Sequence, residues 1–204
     1  MKILIAVPCM DHVPTPFCQS LALIQKIGDC TLMMQSGSLV YASRDTLATL
    51  AVTKEFDYVL WLDSDMVFKP DTLIRMMDTL QKNDLDILTG LCFRRVPPYT
   101  PTLFDKLEMD GKNCIHTEFD EIPEELFEVG GCGFAAVLMK TDVFLDVSAK
   151  FGAMFTPIGQ NGEDASFCMR ARECGYKIFC DPKIVIGHVG NIVVDDVFYR
   201  ATRK

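Results

Sequence analysis

The chain has 204 residues, 49% of them hydrophobic and 24% charged, with a formal charge of −8. That length buries one core of ordinary domain size, and the acidic balance argues against a nucleic-acid binder, which presents clustered Lys and Arg to the phosphate backbone. The first apolar run is too short for a signal peptide and no stretch approaches a membrane span, so the expectation is one intracellular, cytoplasmic unit without membrane helices.

Residues 2–7 read as a buried first strand, Pro8 to Pro16 as a turn-rich loop, and Phe17 to Ile27 as a helix. Cys30 to Met34 form a second predicted strand. Val40 to Glu55 have helical length and spacing, with Leu47, Leu50 and Ala51 on one face, and Asp57 to Leu62 form the third strand. Lys69-Pro70-Asp71 opens a third helix whose buried stripe is expected at Leu73, Ile74, Met77 and Leu80. Alternation of strand and helix predicts parallel strands, right-handed crossovers and helices on both faces of a sheet.

Asp86 to Phe93 read as a further strand, after which Val96-Pro97-Pro98-Tyr99-Thr100-Pro101 breaks the pattern. Residues 102–128 suggest short strands and loops inserted at the sheet edge. Gly133 to Met139 read as a strand, Asp142 to Ala149 and Asp164 to Cys174 as helices, and Ile178 to Ile186 as one or two strands. Gly175 stands where a left-handed helix terminus is expected. The nine cysteines are odd in number and contain no C-x-x-C pair, which favours reduced thiols; Cys168, Cys174 and Cys180 are too widely spaced for a zinc site.

The chemistry-bearing residues fall at three points. Tyr58-Val59-Leu60-Trp61-Leu62 runs into Asp63-Ser64-Asp65, an acidic D-x-D triplet at the carboxyl end of a buried strand, where α/β folds place ligands. Two residues apart in extended chain, both carboxylates project to one side, suited to a hard divalent cation and a diphosphate. A strand end that caps a turn would look the same. Glu163-Asp164 begins a helix, where carboxylates also serve as caps, and His188 lies in Gly187-His188-Val189-Gly190 after the last strand. The glycines of Gly130-Gly131-Cys132-Gly133 suggest positive φ or a bulge.

In this order, with Ile5-Ala6-Val7-Pro8, the Arg44 helix, Gly131-Cys132-Gly133-Phe134 and Phe167-Cys168-Met169-Arg170-Ala171, the chain resembles compact family 2-like glycosyltransferases of the GT-A fold. The resemblance implies a three-layer α/β/α domain over residues 1–204 with a mostly parallel central sheet. Residues 1–93 would be its nucleotide-binding half and 94–204 the half that completes the acceptor and metal sites. It implies transfer of a sugar from a nucleoside diphosphate donor, with UDP expected, to a hydroxyl acceptor. Pro8, Arg44, Asp63 and Ser64 would bind the donor, and Asp63, Asp65 and His188 would hold Mn2+ or Mg2+. Asp164 would be the base of an inverting reaction, with Glu163 beside it orienting the acceptor. Arg44 also reads as a solvent-facing helix charge, and the tail residues Arg200, Arg203 and Lys204 as a frayed end or a cover for the diphosphate.

Three other readings compete. A haloacid-dehalogenase-like phosphohydrolase would use Asp63 as nucleophile and Asp65 as acid and base, but its motif ends the first strand of its domain, whereas two strand-helix units precede this one. A nucleotidylyltransferase would need a glycine-rich basic loop where Pro8-Cys9-Met10-Asp11-His12-Val13 stands. A catalytically inactive nucleotide-sugar-binding module would keep the fold without turnover.

Overall fold

Ile3 to Pro8 are all buried, which leaves strand β1 (Lys2–Cys9) no solvent face and places it inside a sheet covered on both sides. This computed structural model describes residues 1–110 and 113–190. After β1 come helix α1 (Thr15–Leu23), β2 (Asp29–Ser36), α2 (Val40–Thr53) and β3 (Tyr58–Leu62), then a short β4 (Met66–Val67), α3 (Thr72–Lys82) and β5 (Ile87–Cys92). β1 pairs in parallel with β2 on one side and β3 on the other, as expected of strands joined by helical crossovers.

Two local expectations shift. α1 starts earlier than predicted because Pro16 is tolerated in a helix's first turn, where its missing N–H costs nothing. In α3 the buried stripe is Leu73, Met76, Met77 and Leu80, all at 1% exposure or less, whereas Ile74 is 36% exposed. The i, i+3, i+4, i+7 spacing explains the correction, since a step of one residue from Leu73 turns the side chain off the core face.

The second half supplies β6 (Leu103–Phe104), the hairpin β7 (Lys106–Asp110) and β8 (Asn113–Thr117), β9 (Phe127–Val129), β10 (Gly131–Cys132) and β11 (Ala136–Lys140). Helices α4 (Asp142–Phe151) and α5 (Glu163–Glu173) and the long β12 (Ile178–His188) follow. The main sheet runs β2-β1-β3-β11-β5-β12-β4, with β9 also on β12. β2, β1, β3, β5 and β12 share one direction, while β11, β4 and β9 oppose it. The predicted strand Gly133 to Met139 starts later, as β11, which enters the sheet between β3 and β5, while Gly131–Cys132 just before it form β10 and pair with β6. Ile178 to Ile186 proves to be one strand whose register shifts between Asp181 and Val185, around Pro182, which cannot donate to a ladder.

Alternate residues of β1 and β3 face opposite layers. Ile3, Ile5, Val7, Leu60 and Leu62 pack with α1 and α3, and Leu4, Ala6, Val59 and Trp61 with α2, α4 and α5. This is a three-layer α/β/α arrangement, each fully buried Leu, Ile or Phe contributing about 1.5–3 kcal/mol relative to exposure. Trp61 is fully buried and packs edge-on or tilted against Phe134, Phe144 and Phe155 with ring centroids 5.3–6.0 Å apart. Gly175 has φ 95°, the left-handed conformation expected past the end of α5. The described cysteines are free thiols, and Cys92, Cys132, Cys168 and Cys180 are buried. Among the described residues no helix is long and apolar enough to cross a membrane.

Candidate active site

The D-x-D triplet leaves the sheet where β3 ends, and three backbone contacts fix it there. The Asp63 amide donates to the Ala135 carbonyl at 3.1 Å, the Met66 amide to Asp63 O at 3.3 Å, and the Val189 amide to Asp65 O at 2.9 Å. β4 continues the triplet onto β12, with His188 opposite Met66. The chain's late segment is thereby stapled beside the acidic turn, so that side chains 123 residues apart meet.

A cavity of about 230 Å³ opens at the carboxyl ends of β1 and β3, lined by Pro8, Arg44, Asp63, Ser64, Asp65 and Glu163 among others. Of the residues singled out in the sequence, Asp164 and His188 lie outside this lining. A second hollow of about 390 Å³, lined by Pro14, Asp65, Arg95, Val96 and Val189, adjoins the first through Asp65. Tail residues Arg200, Arg203 and Lys204 lie outside the described residues.

Arg44 is not a solvent-facing charge. It is only 2% exposed, its Nη2 donates to Asp63 Oδ1 at 2.7 Å and its Nε to Glu163 Oε1 at 3.2 Å. Its guanidinium lies 5.0 Å from the Phe134 ring centroid and 5.6 Å from that of Trp61, so the aromatic layer forms its floor. Burial works against its charge, but the two carboxylates outweigh burial and raise its affinity for the proton. Arg44 Nη1 is buried without a hydrogen-bond partner. Burial also pushes the Asp63 carboxyl up, against the opposing pull of Arg44.

Glu163 and Asp164 open α5, but neither is its cap: the position before the helix is Gly162, with no side-chain capping bond. Glu163 reaches back to Arg44, and Asp164 Oδ1 accepts from the Ala165 amide at 2.7 Å. The Asp164 carboxyl is pushed above the ordinary range, first by burial and then by Glu163. A side chain at Gly162 would put its Cβ 2.6 Å from Asp164 Oδ1, so glycine there makes room for the carboxylate. The glycines before β11 owe their identity to close approach and not to positive φ. A Cβ on Gly130 would lie 2.7 Å from Asp105 O and 2.9 Å from Lys106 Cα.

The expected trio of metal ligands is only partly assembled. Asp65 and His188 meet, with Nε2 3.2 Å from Asp65 Oδ2, while one oxygen of Asp63 is taken by Arg44. Among the described residues no group of three or more His, Cys, Asp or Glu side chains is placed to share one ion. The Asp65–His188 pair nonetheless fits a cation. His188 Nδ1 lies 3.0 Å from the Phe93 carbonyl, which only accepts, so Nδ1 carries the hydrogen. In the neutral ring Nε2 then presents a lone pair to a carboxylate oxygen, an acceptor facing an acceptor, and a positive charge beside both relieves the repulsion. One imidazole with oxygen ligands suits Mn2+ and is compatible with Mg2+. The cation present at Asp65 Oδ2 is the Arg95 guanidinium, whose Nη1 lies 2.6 Å away. Sequence reading missed Arg95. Its signal was a pair of arginines, Arg94-Arg95, directly after a buried strand of an acidic chain.

The family profile described as "Glycosyl transferase family 2" matches residues 23–147. The mannan polymerase complex subunit mnn9 of Schizosaccharomyces pombe is 26% identical over 177 aligned residues, covering 72% of this chain; the chain spans 50% of that relative's length. Among solved structures, A197 from STIV has a similar fold, with a TM-score of 0.62, 17% identity and coverage of 96% of this chain and 97% of that one. GalNAc-T7 with UDP, GalNAc and Mn2+ superposes with a TM-score of 0.64 at 9% identity, over 94% of this chain and 43% of that one.

Proposed function

Since the chain belongs to glycosyl transferase family 2, we propose that it is a metal-dependent, inverting transferase that moves a sugar from a nucleoside diphosphate to a hydroxyl acceptor. The observation that carries this reading is the convergence of Asp63, Asp65, Arg44 and Glu163, from three separate chain segments, on one cavity at the strand ends. The nucleoside would occupy that cavity against Pro8 and Ser64. Asp65 and His188 would hold the divalent cation, which when bound supplies Lewis-acid neutralisation of the diphosphate leaving group.

Each protein residue then has one task. Arg44 is a positioning residue that holds Asp63 and Glu163 in fixed directions without itself meeting the reacting atoms. Asp164 takes the proton of the acceptor hydroxyl as its oxygen bonds to the anomeric carbon from the face opposite the departing diphosphate. The bond from that carbon to the diphosphate oxygen breaks, and its electron pair leaves with the nucleotide. A carboxylate lifted by burial is a stronger base than an exposed one, provided the pH keeps it ionised. Asp63, tied to Arg44 at 2.7 Å, is poorly presented as the nucleophile of a phosphohydrolase. The odd number of cysteines and the lack of a C-x-x-C pair support a reducing, cytoplasmic setting.

Thermal unfolding with UDP, GDP, CDP or ADP, each with Mn2+ or a chelator, tests the donor and metal assignments. UDP comes first because the similar fold of GalNAc-T7 was solved with UDP. A diphosphate at about a hundred times its Kd adds about 2.7 kcal/mol, a rise in Tm of about 5–10 °C for a chain of this size. A Mn2+-dependent rise with one nucleotide is expected. No rise with any of them refutes metal-dependent donor binding.

A further inference from the structure

Arg95 stands outside the machinery described so far, yet it is the cation that touches Asp65. It follows β5, and its side chain is 55% exposed, against 24% for Asp65 and 19% for His188. Its neighbour Arg94 points elsewhere, to Glu118 at 3.3 Å, and the Arg94 amide is fastened to the Thr100 carbonyl. The backbones on both sides of the Asp65–Arg95 contact are anchored. Val189 holds Asp65 O, and a Cβ on Gly190 would already sit 3.4 Å from Arg95 Cβ and O. The contact itself is a single N–H to one carboxylate oxygen, not a forked pair, at the open rim of the hollow lined by Asp65, Arg95 and Val96. Only the long side chain of Arg95 is free to change partners.

The oxygen that Arg95 occupies, Asp65 Oδ2, is also the one facing His188 Nε2. A divalent cation shared by those two atoms competes with the guanidinium there, because two positive charges would repel each other at one oxygen. We propose that Arg95 is a two-position cation, neutralising Asp65 while no donor is bound and passing to the phosphate oxygens of the donor once Asp65 takes the metal. This rests on the reading of Asp65 and His188 as the metal ligands. A diphosphate drawn to a metal at Asp65 comes within reach of a guanidinium hinged beside it, and guanidinium forks match phosphate oxygens. The device keeps the acidic turn charge-balanced in the free protein and makes metal and diphosphate binding mutually dependent.

The test is Mn2+ binding to the nucleotide-free protein, followed by electron paramagnetic resonance, for wild type, Arg95→Ala, Arg95→Lys and Asp65→Asn. Losing a competing exposed ion pair is expected to tighten Mn2+ binding by Arg95→Ala about fivefold, with Arg95→Lys near wild type and Asp65→Asn without the site. Calorimetry with pyrophosphate in saturating Mn2+ is expected to move the other way, with Arg95→Ala binding about fivefold or more weakly. Opposite signs in the two assays are the signature, since mere structural damage weakens both. Equal or weaker Mn2+ binding by Arg95→Ala, or unchanged pyrophosphate binding, overturns the proposal while leaving the metal site standing. Absence of Mn2+ binding in both wild type and Arg95→Ala overturns the proposal and the metal assignment together.

Discussion

Replacing Arg44 with Met keeps the volume over Trp61 and Phe134 but removes the cation that faces Asp63 and Glu163. Breaking a buried ion pair by deleting one partner costs about 3–5 kcal/mol, because the abandoned charge stays buried. Asp63 keeps 32% exposure and Glu163 17%, so water reaches part of that charge and the lower end, about 3 kcal/mol, applies. For a chain of this length that lowers Tm by about 6–12 °C. The loss also depends on pH. Burial already lifts the Asp63 carboxyl above its unfolded value, and without Arg44 nothing opposes that lift. The folded variant therefore holds protons that the unfolded chain releases, so its stability rises as pH falls. Its deficit against wild type is expected to be largest near pH 7 and to narrow toward about pH 5. Adding Glu163→Gln removes one stranded carboxylate and recovers part of the loss. Differential scanning calorimetry of the three proteins at both pH values measures this. A variant within about 2 °C of wild type near neutral pH, or a gap that widens on acidification, refutes the assignment of Arg44 as the charge that holds the site together.

Asp164→Asn is expected to lower sugar transfer by about 10²–10⁴-fold while raising Tm at neutral pH, because it removes a carboxylate whose ionised form burial disfavours. The Tm advantage disappears as pH falls through the raised pKa of Asp164 and wild type takes up its proton; paired turnover and melting curves check both halves, and wild-type turnover sinks the base assignment. Gly130→Ala drives a Cβ against three backbone atoms within 3.0 Å and is expected to cost about 1–3 kcal/mol in urea unfolding, with a smaller loss showing that the β6–β10 neighbourhood yields.

The central strands of the first half were legible because β1, β3 and β5 are continuous apolar runs, α3 because its apolar residues recur at helical spacing, and the D-x-D turn because an apolar strand ran directly into it. β11 could not be read as antiparallel, since the buried sequence of Ala136 to Lys140 is equally suited to either direction. The reading of Arg44 as a solvent-facing charge failed for a related reason. A helix shows its neighbours along the chain, but the partners that decided its role, Asp63 and Glu163, lie 19 and 119 residues away. Arg95 was passed over because an exposed arginine in a proline-rich loop carries no periodicity, only the weak signal of the Arg94-Arg95 pair. The glycines were noticed, but composition could not separate positive φ from crowding, and only the backbone of Asp105 to Leu107 passing Gly130 decides it.

The placement of β11 also governs how the chain comes together. β3 and β5 do not pair with each other; Leu60 and Leu88 both register against Leu138, so the strand that joins them is made long after either. A ribosome that has released only the first 93 residues presents β3 and β5 as two separate apolar edges, open to other chains. Closing the sheet waits for a distant segment to slot into the gap, which makes folding dominated by long-range pairing and slow relative to a helical chain of equal size. The middle of the finished sheet cannot form until Ala136–Lys140, made after both of the strands it joins, is available.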